Sequence, residues 1–276
     1  MIRIENLSAS IRKTPILSDI GARVGKGEFV ALVGPNGAGK TTLLKHLNGL
    51  LKPTKGSVTI AGADTRKAKT SHLARRVGFL FQNPDQQILC MTVREEIRFG
   101  LKHTEVPRAE WDGRTESAAA LTGLAKKLDA DPLLLTRSRR QRVALASVLA
   151  TGPEILVLDE PTSAQDEVET TRVMEIAQGL VRAGKTVILV SHDMELVSRY
   201  ATRALVLVGG KLVADLEPAR LFADDELLAR ASLSKPGLHR LAESLGYSRM
   251  GEGQGPLSVC ELADFVESTL AQEATP

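Results

Sequence analysis

Eight residues, GPNGAGKT from Gly34 to Thr41, constrain the fold of this chain more tightly than any other feature. They match the spacing G-x-x-x-x-G-K-[ST] and lie between an apolar run, FVALV, and a segment of helical periodicity. Strand, glycine loop and helix in that order are what a phosphate cradle needs. Glycines let successive backbone N–H groups turn inward around phosphate oxygens, Lys40 reaches the terminal phosphates, and the Thr41 hydroxyl is available to Mg²⁺. A helix starting near Lys40 adds about half a positive charge at its N-terminus. The expected cradle is Gly34, Pro35, Asn36, Gly37, Ala38, Gly39, Lys40, Thr41 and the adjoining Thr42.

Four further polar positions fall where such a cradle would use them. EILVLDEPTSAQD, Glu154 to Asp166, reads as a buried strand that delivers Asp159 at its C-terminal end, the place to hold Mg²⁺ directly or through water. Glu160 follows, and a carboxylate there can orient and deprotonate a water attacking the γ-phosphate. Gln82 ends VGFLFQ and His192 ends TVILVSH, so both reach the sheet edge at which α/β folds bind ligands. Alone, an acidic pair or a histidine at a strand end is ordinary surface; the phosphate loop upstream changes that reading.

Several short apolar runs, Glu28 to Val33, Val77 to Phe81, Ile155 to Leu158 and Val187 to Val190, are expected as strands, the last three buried on both faces of a parallel sheet. Ile2 to Asn6 and Ser57 to Ala61 read as strands near the N-terminus, and Lys40 to Leu51 as a helix. From about Ile88 to Val148 the pattern is helical, as though a subdomain were inserted between two strands. A Gly209-Gly210 turn is expected to close a hairpin, and the chain is helical again from Pro218, with a flexible joint at Met250 to Pro256. The fold class is α/β: a mixed-sheet core with an antiparallel β subdomain and an inserted helical subdomain, spanning 1–215, plus a small helical extension over 216–276.

Composition narrows the function classes. The 276 residues, 43 % of them hydrophobic, can bury a sizeable core, and 36 basic residues face 33 acidic ones for a net charge of +3, which disfavours a dedicated nucleic-acid binder. No apolar run approaches the roughly 18 residues that span a bilayer, and Met1 to Ser10 lacks the pattern of a signal peptide, so any membrane contact is expected through a partner. Cys90 and Cys260 are far apart and read as structural thiols in a reducing compartment.

Taken together the motifs resemble the ATP-binding subunit of an ABC transporter, with Gln82 at the Q-loop position, Ser163 to Asp166 at the D-loop and His192 at the switch histidine. That resemblance implies ATP and Mg²⁺ as cofactors, with Thr41, Asp159 and Gln82 on the metal and Glu160, His192 and Gln82 catalytic. It implies two cassettes enclosing two ATP molecules and driving a transmembrane subunit from the cytoplasmic face of the membrane. FQNPDQQI, Phe81 to Ile88, with TVREEIRFG after it, is similar to the energy-coupling factor and cobalt-type importers, as are the tail segments LFADDELLARASLSKPGLHRLAESLG and PLSVCELADFV. Uptake of a vitamin or a transition-metal ion follows from that similarity. A soluble ABC protein acting on nucleic acid and a mainly regulatory nucleotide-binding subunit are the rival readings.

Two departures from the family pattern stand out. LTRSR, Leu135 to Arg139, replaces the LSGGQ signature, placing Thr136, Arg137, Ser138 and Arg139 where backbone N–H groups approach an ATP held by the opposite subunit. A non-glycine residue forced to positive φ there would cost roughly 1–2 kcal/mol. Three readings fit: Arg137 or Arg139 grips phosphate through its guanidinium; the half-site is degenerate and the chain pairs with a different ATPase carrying an intact signature; or the arginines are a solvated face. The second, a heterodimer rather than a homodimer, is the favoured expectation. The other departure is Ile11, which stands where an aromatic ring commonly stacks on adenine and is equally readable as plain core.

Overall fold

The computed structural model describes residues 1–104, 106–163, 165–247 and 259–273. Among the described residues, ten strands form two sheets. β1 (Ile2–Ile11), β2 (Thr14–Val24), β4 (Lys55–Ile60) and β5 (Ala63–Asp64) make an antiparallel sheet in the order β2-β1-β4-β5. β3 (Phe29–Val33), β6 (Val77–Leu80), β7 (Ile155–Asp159), β8 (Thr186–Val190), β9 (Arg203–Val208) and β10 (Lys211–Leu216) make the second, in the order β10-β9-β3-β8-β7-β6. Within it the five strands from β9 to β6 are parallel, and β10 returns antiparallel after the Gly209-Gly210 turn.

Strands β3, β6, β7 and β8 are buried at every position. Their side chains alternate between two cores, as the period of two requires. Phe29, Ala31 and Val33 of β3 join one cluster, whereas Val30 and Leu32 join the other, which fills the space between the two sheets.

The helices are α1 (Lys40–Leu47), α2 (Thr70–Ala74), α3 (Val93–His103), α4 (Trp111–Leu121), α5 (Arg137–Ala150), α6 (Glu167–Arg182), α7 (Met194–Tyr200), α8 (Pro218–Ala223), α9 (Asp225–Ala231), α10 (Gly237–Ser244) and α11 (Val259–Glu273). Helices α3 to α5 lie in the chain between β6 and β7 and share a third core around Val93, Ile97, Leu101 and Val143. α5 serves two cores at once: Val143, Ala146 and Ala150 face the helical cluster, and Ala144, Leu145 and Val148 face the sheet. Its Arg-rich start is thereby fixed to both bodies. α8 and α9 bury Leu221, Phe222, Leu228 and Ala231 in the same cluster as β8 and α7.

Three departures from the sequence expectation have a local reason. β1 continues to Ile11 and pairs with β2, a strand that was not expected; register shifts after Ile4, Leu7 and Ala9 break the alternation that would have revealed it. Its turn uses Arg12 and Lys13 at φ 48° and 71° rather than glycine or asparagine. α1 stops at Leu47, not Leu51, because Gly49 takes φ 74° just beyond the Asn48 cap. β6 ends at Leu80, leaving Phe81 and Gln82 in the loop that follows. The joint expected at Met250 to Pro256 lies outside the described residues, as do Ala164 of the D-loop segment and the first residues of PLSVCELADFV.

Candidate nucleotide site

The C-terminal ends of β3, β7 and β8 open onto one cleft of about 720 Å³. It is lined by Asn36 to Thr42 of the glycine loop, by Gln82, Asp159 and Glu160, by Thr162 and Ser163, and by Val190 to Asp193. Every candidate from the sheet edge therefore meets the phosphate loop in the folded chain.

The loop's shape depends on glycine at two positions in particular. Gly34 has φ 140°, and a Cβ there would come 1.9 Å from the Leu207 carbonyl oxygen of β9. Gly39, at φ 100°, immediately precedes α1, and a Cβ would meet Leu17 of β2 at 2.7 Å. Lys40 is buried, and its Nζ donates to the carbonyls of Gly34 at 2.7 Å and Pro35 at 3.0 Å. Burial lowers its pKa, against the pull of Glu160 and Asp159. The first-turn N–H groups of α1 have no partner within the helix and leave donors for an anion.

The acidic side of the cleft comes from β7. Thr41 Oγ1 donates to Asp159 Oδ2 at 3.4 Å, so a hydroxyl and a carboxylate stand together beside the lysine. Two hard oxygen donors at the phosphate end suit Mg²⁺. Burial raises the Asp159 pKa, partly offset by Thr41 and then Lys40. Glu160 adopts φ 49° and donates its N–H to Val190 O at 3.0 Å, which ties the turn after β7 to the end of β8. A left-handed non-glycine residue costs roughly 1–3 kcal/mol and marks a functional constraint. Burial pushes the Glu160 carboxyl up to about 7, opposed by the His192 amide and Lys40.

His192 Nε2 lies 3.4 Å from Glu160 Oε1, an oxygen that is buried and accepts no hydrogen bond. Burial, and secondarily Lys40, lowers the His192 pKa, so its ring is neutral at neutral pH. Asp193 caps α7 by accepting from the amides of Glu195 at 2.9 Å and Leu196 at 3.3 Å, which fixes the turn carrying His192. Gln82 is exposed and lines the same cleft.

Sequence reasoning missed the clamp behind Gln82. The Phe81 N–H donates to Gln87 Oε1 at 3.3 Å, and its carbonyl accepts from Gln141 Nε2 at 3.3 Å. Gln87 Nε2 in turn donates to Ala144 O at 3.4 Å. The loop is thus bonded to α5. Ile16 of β2, likewise unforeseen because β2 was, lines the cleft, whereas Ile11 is 45 % exposed and lies outside the lining.

Thr136, Arg137, Ser138 and Arg139 contribute nothing to this cleft. Thr136 caps α5 by accepting from the Arg139 amide at 3.4 Å, and the helix begins at Arg137. No residue of LTRSR has a positive φ, so the strain expected from losing the glycines is not incurred.

Comparison with known proteins agrees with this geometry. The family model described as ABC transporter matches residues 17–163. The energy-coupling factor transporter ATP-binding protein EcfA of Methanothermobacter thermautotrophicus is 42 % identical across 91 % of this chain and 80 % of its own length. A putative ABC transporter ATP-binding protein of Methanosarcina mazei is also 42 % identical, over 97 % of this chain, but the chain spans only 45 % of that relative. Among solved structures, cbiO1 of Clostridium perfringens, part of the ABC transporter complex cbiONQ, superposes with a TM-score of 0.75 at 29 % identity, covering 88 % of this chain and 98 % of cbiO1. An ATP-binding cassette dimer in a post-hydrolysis state with ADP and Pi gives 0.71 at 27 % identity, over 79 % of this chain and 99 % of that one. By its matched motifs, its cleft and these relatives, the chain belongs to the ATP-binding proteins of ABC transporters, in the energy-coupling factor group.

Proposed function

We propose that this chain hydrolyses ATP to power a membrane importer of energy-coupling factor type, with a vitamin or a transition-metal ion as the transported solute. The observation that carries the chemistry is the placement of Glu160, its carboxylate in the phosphate cleft beside Lys40 and His192 with one oxygen unsatisfied. Glu160 takes a proton from the attacking water, Lys40 meets the β- and γ-phosphates, and His192 and Gln82 contact the γ-phosphate end. Thr41 and Asp159, with Gln82, would hold Mg²⁺, which neutralises charge developing on the transferred phosphoryl group. The names of the EcfA relatives and of cbiO1 support the importer class.

The ATPase unit is assigned to residues 1–215 and the helical extension to 216–276. No described helix is long and apolar enough to cross a membrane, which fits a subunit held peripherally at the cytoplasmic face by a transmembrane partner. Loss of both glycines from LTRSR favours an asymmetric pair, in which a second ATPase with an intact signature completes the site built on Lys40 and Glu160. Side chains at Arg137 and Ser138 then face the partner's weaker site. The test is ATP turnover by the purified chain alone and after mixing with the ATPase that co-purifies with it from membranes. Near-inactivity alone and turnover on mixing is the expected result; fast turnover by the chain alone overturns the asymmetric pair.

A further inference from the structure

The basic run from Arg137 to Arg142 contains two kinds of arginine. Arg137 and Arg139 are exposed, whereas Arg140 and Arg142 turn back into their own chain. Arg140 Nε lies 2.7 Å from Asp85 Oδ1, in the turn after Gln82, and its Nη1 donates to Leu135 O at 2.8 Å. Arg142 is almost enclosed. Its Nη1 donates to Thr122 O at 3.1 Å, and its Nε lies 3.2 Å from Glu169 Oε2, with side-chain exposures of 8 % and 14 % for the two partners. Gly123 leaves room for this guanidinium, since a Cβ there would come 3.0 Å from Nη1.

Glu169 stands in the first turn of α6, where its amide donates to the capping Asp166 at 2.8 Å, and its Oε1 lies 3.4 Å from Arg172 Nη1. Glu160, Thr162 and Ser163 line the cleft a few residues before that turn in the chain. Arg142 stands on α5, the helix whose first residues are LTRSR. The pair therefore joins the loop of the chain's own nucleotide site to the end of the chain that faces a partner.

Two properties separate this contact from ordinary packing. Charges at this depth add little net stability over an apolar pair, yet removing one partner leaves the other uncompensated, so such a pair specifies geometry more than it stabilises. Second, Arg142 Nε and Glu169 Oε2 are shut off from solvent, and neither has an aligned hydrogen bond although they are in contact range.

We infer that the Arg142–Glu169 pair is a positioning link which carries the state of this chain's nucleotide site to its LTRSR end, and through it to the nucleotide of the paired ATPase. The inference rests on the paired-cassette reading above. A shift of the first turn of α6 when the cleft takes up a γ-phosphate moves Glu169, and Glu169 draws Arg142 and α5 with it. Arg140 and Asp85 hold the same end of α5 to the loop carrying Gln82. Both loops around the cleft are thus tied to one helix.

The experiment measures ATP turnover against MgATP concentration in the complete assembly containing the full chain, for Arg142→Gln, Glu169→Gln, the double variant and Arg142→Lys. Binding of a fluorescent ATP analogue to each chain alone serves as the folding control. The expected result is kcat lowered about fivefold or more with KM within about twofold, a double variant no worse than the worse single, and recovery in Arg142→Lys. Singles within about twofold of wild-type kcat, losses that multiply in the double variant, or lowered yield with unchanged turnover per bound nucleotide would each overturn the link. Lys40→Ala in the same assembly separates the two claims: intact turnover there sinks the nucleotide-site reading itself, whereas its loss alongside unaffected Arg142 variants sinks the link alone.

Discussion

The buried oxygen of Glu160 faces the neutral ring of His192 across 3.4 Å and accepts no hydrogen bond. The carboxylate is pushed up to about 7 by burial, and the imidazole is pushed down by burial and Lys40. A base held near neutrality next to an uncharged ring is poised to take a proton from water and to hold a neutral contact to phosphate.

This raised carboxyl makes stability depend on pH in a defined direction. Its folded value of about 7 exceeds the reference 4.5, so its contribution is fully present below 4.5 and is lost as pH rises through 7. Glu160→Gln removes the titration. Thermal melts of the nucleotide-free chain should show the variant gaining on wild type between pH 4.5 and 8, by a few kcal/mol at most. A constant difference across that window would contradict the burial argument.

Gly34→Ala should prevent folding or destabilise the chain by about 3 kcal/mol or more, because its Cβ would occupy the Leu207 carbonyl. Gly37→Ala, at φ 79° with nothing within 4 Å, should cost only about 1–2 kcal/mol. Chemical denaturation of both variants checks the contrast; similar losses would contradict the close approach of β9 to the loop.

Ile16 is the residue of β2 that lines the cleft, and no aromatic residue occurs before Phe29. Ile16→Tyr should tighten ATP binding by about three- to tenfold through stacking worth about 0.5–1.5 kcal/mol. Titration of the chain with ATP and with inorganic triphosphate separates the cases. Equal gains for both ligands, or none for ATP, would place the base elsewhere.

The phosphate loop and the strands that carry Asp159, Glu160 and His192 were legible in the sequence because they are local: a glycine spacing, and apolar runs ending in polar residues. β2 was not legible, since its pairing with β1 is bulged and its turn is built from Arg12 and Lys13. Nor could spacing reveal the Gln87–Phe81–Gln141 clamp or the Asp85 and Glu169 partners of Arg140 and Arg142. All but the Gln87–Phe81 bond join residues far apart in sequence, and only tertiary packing decides them. The left-handed backbone of Glu160 was hidden for the same reason: it follows from a bond to Val190 on a neighbouring strand.

Steady-state ATP turnover by the complete assembly carrying Glu160→Gln tests the central claim most directly. The account predicts a kcat lower by about 10²–10⁴ with nucleotide binding retained, the range expected for loss of a general base. Turnover within about tenfold of wild type would contradict it.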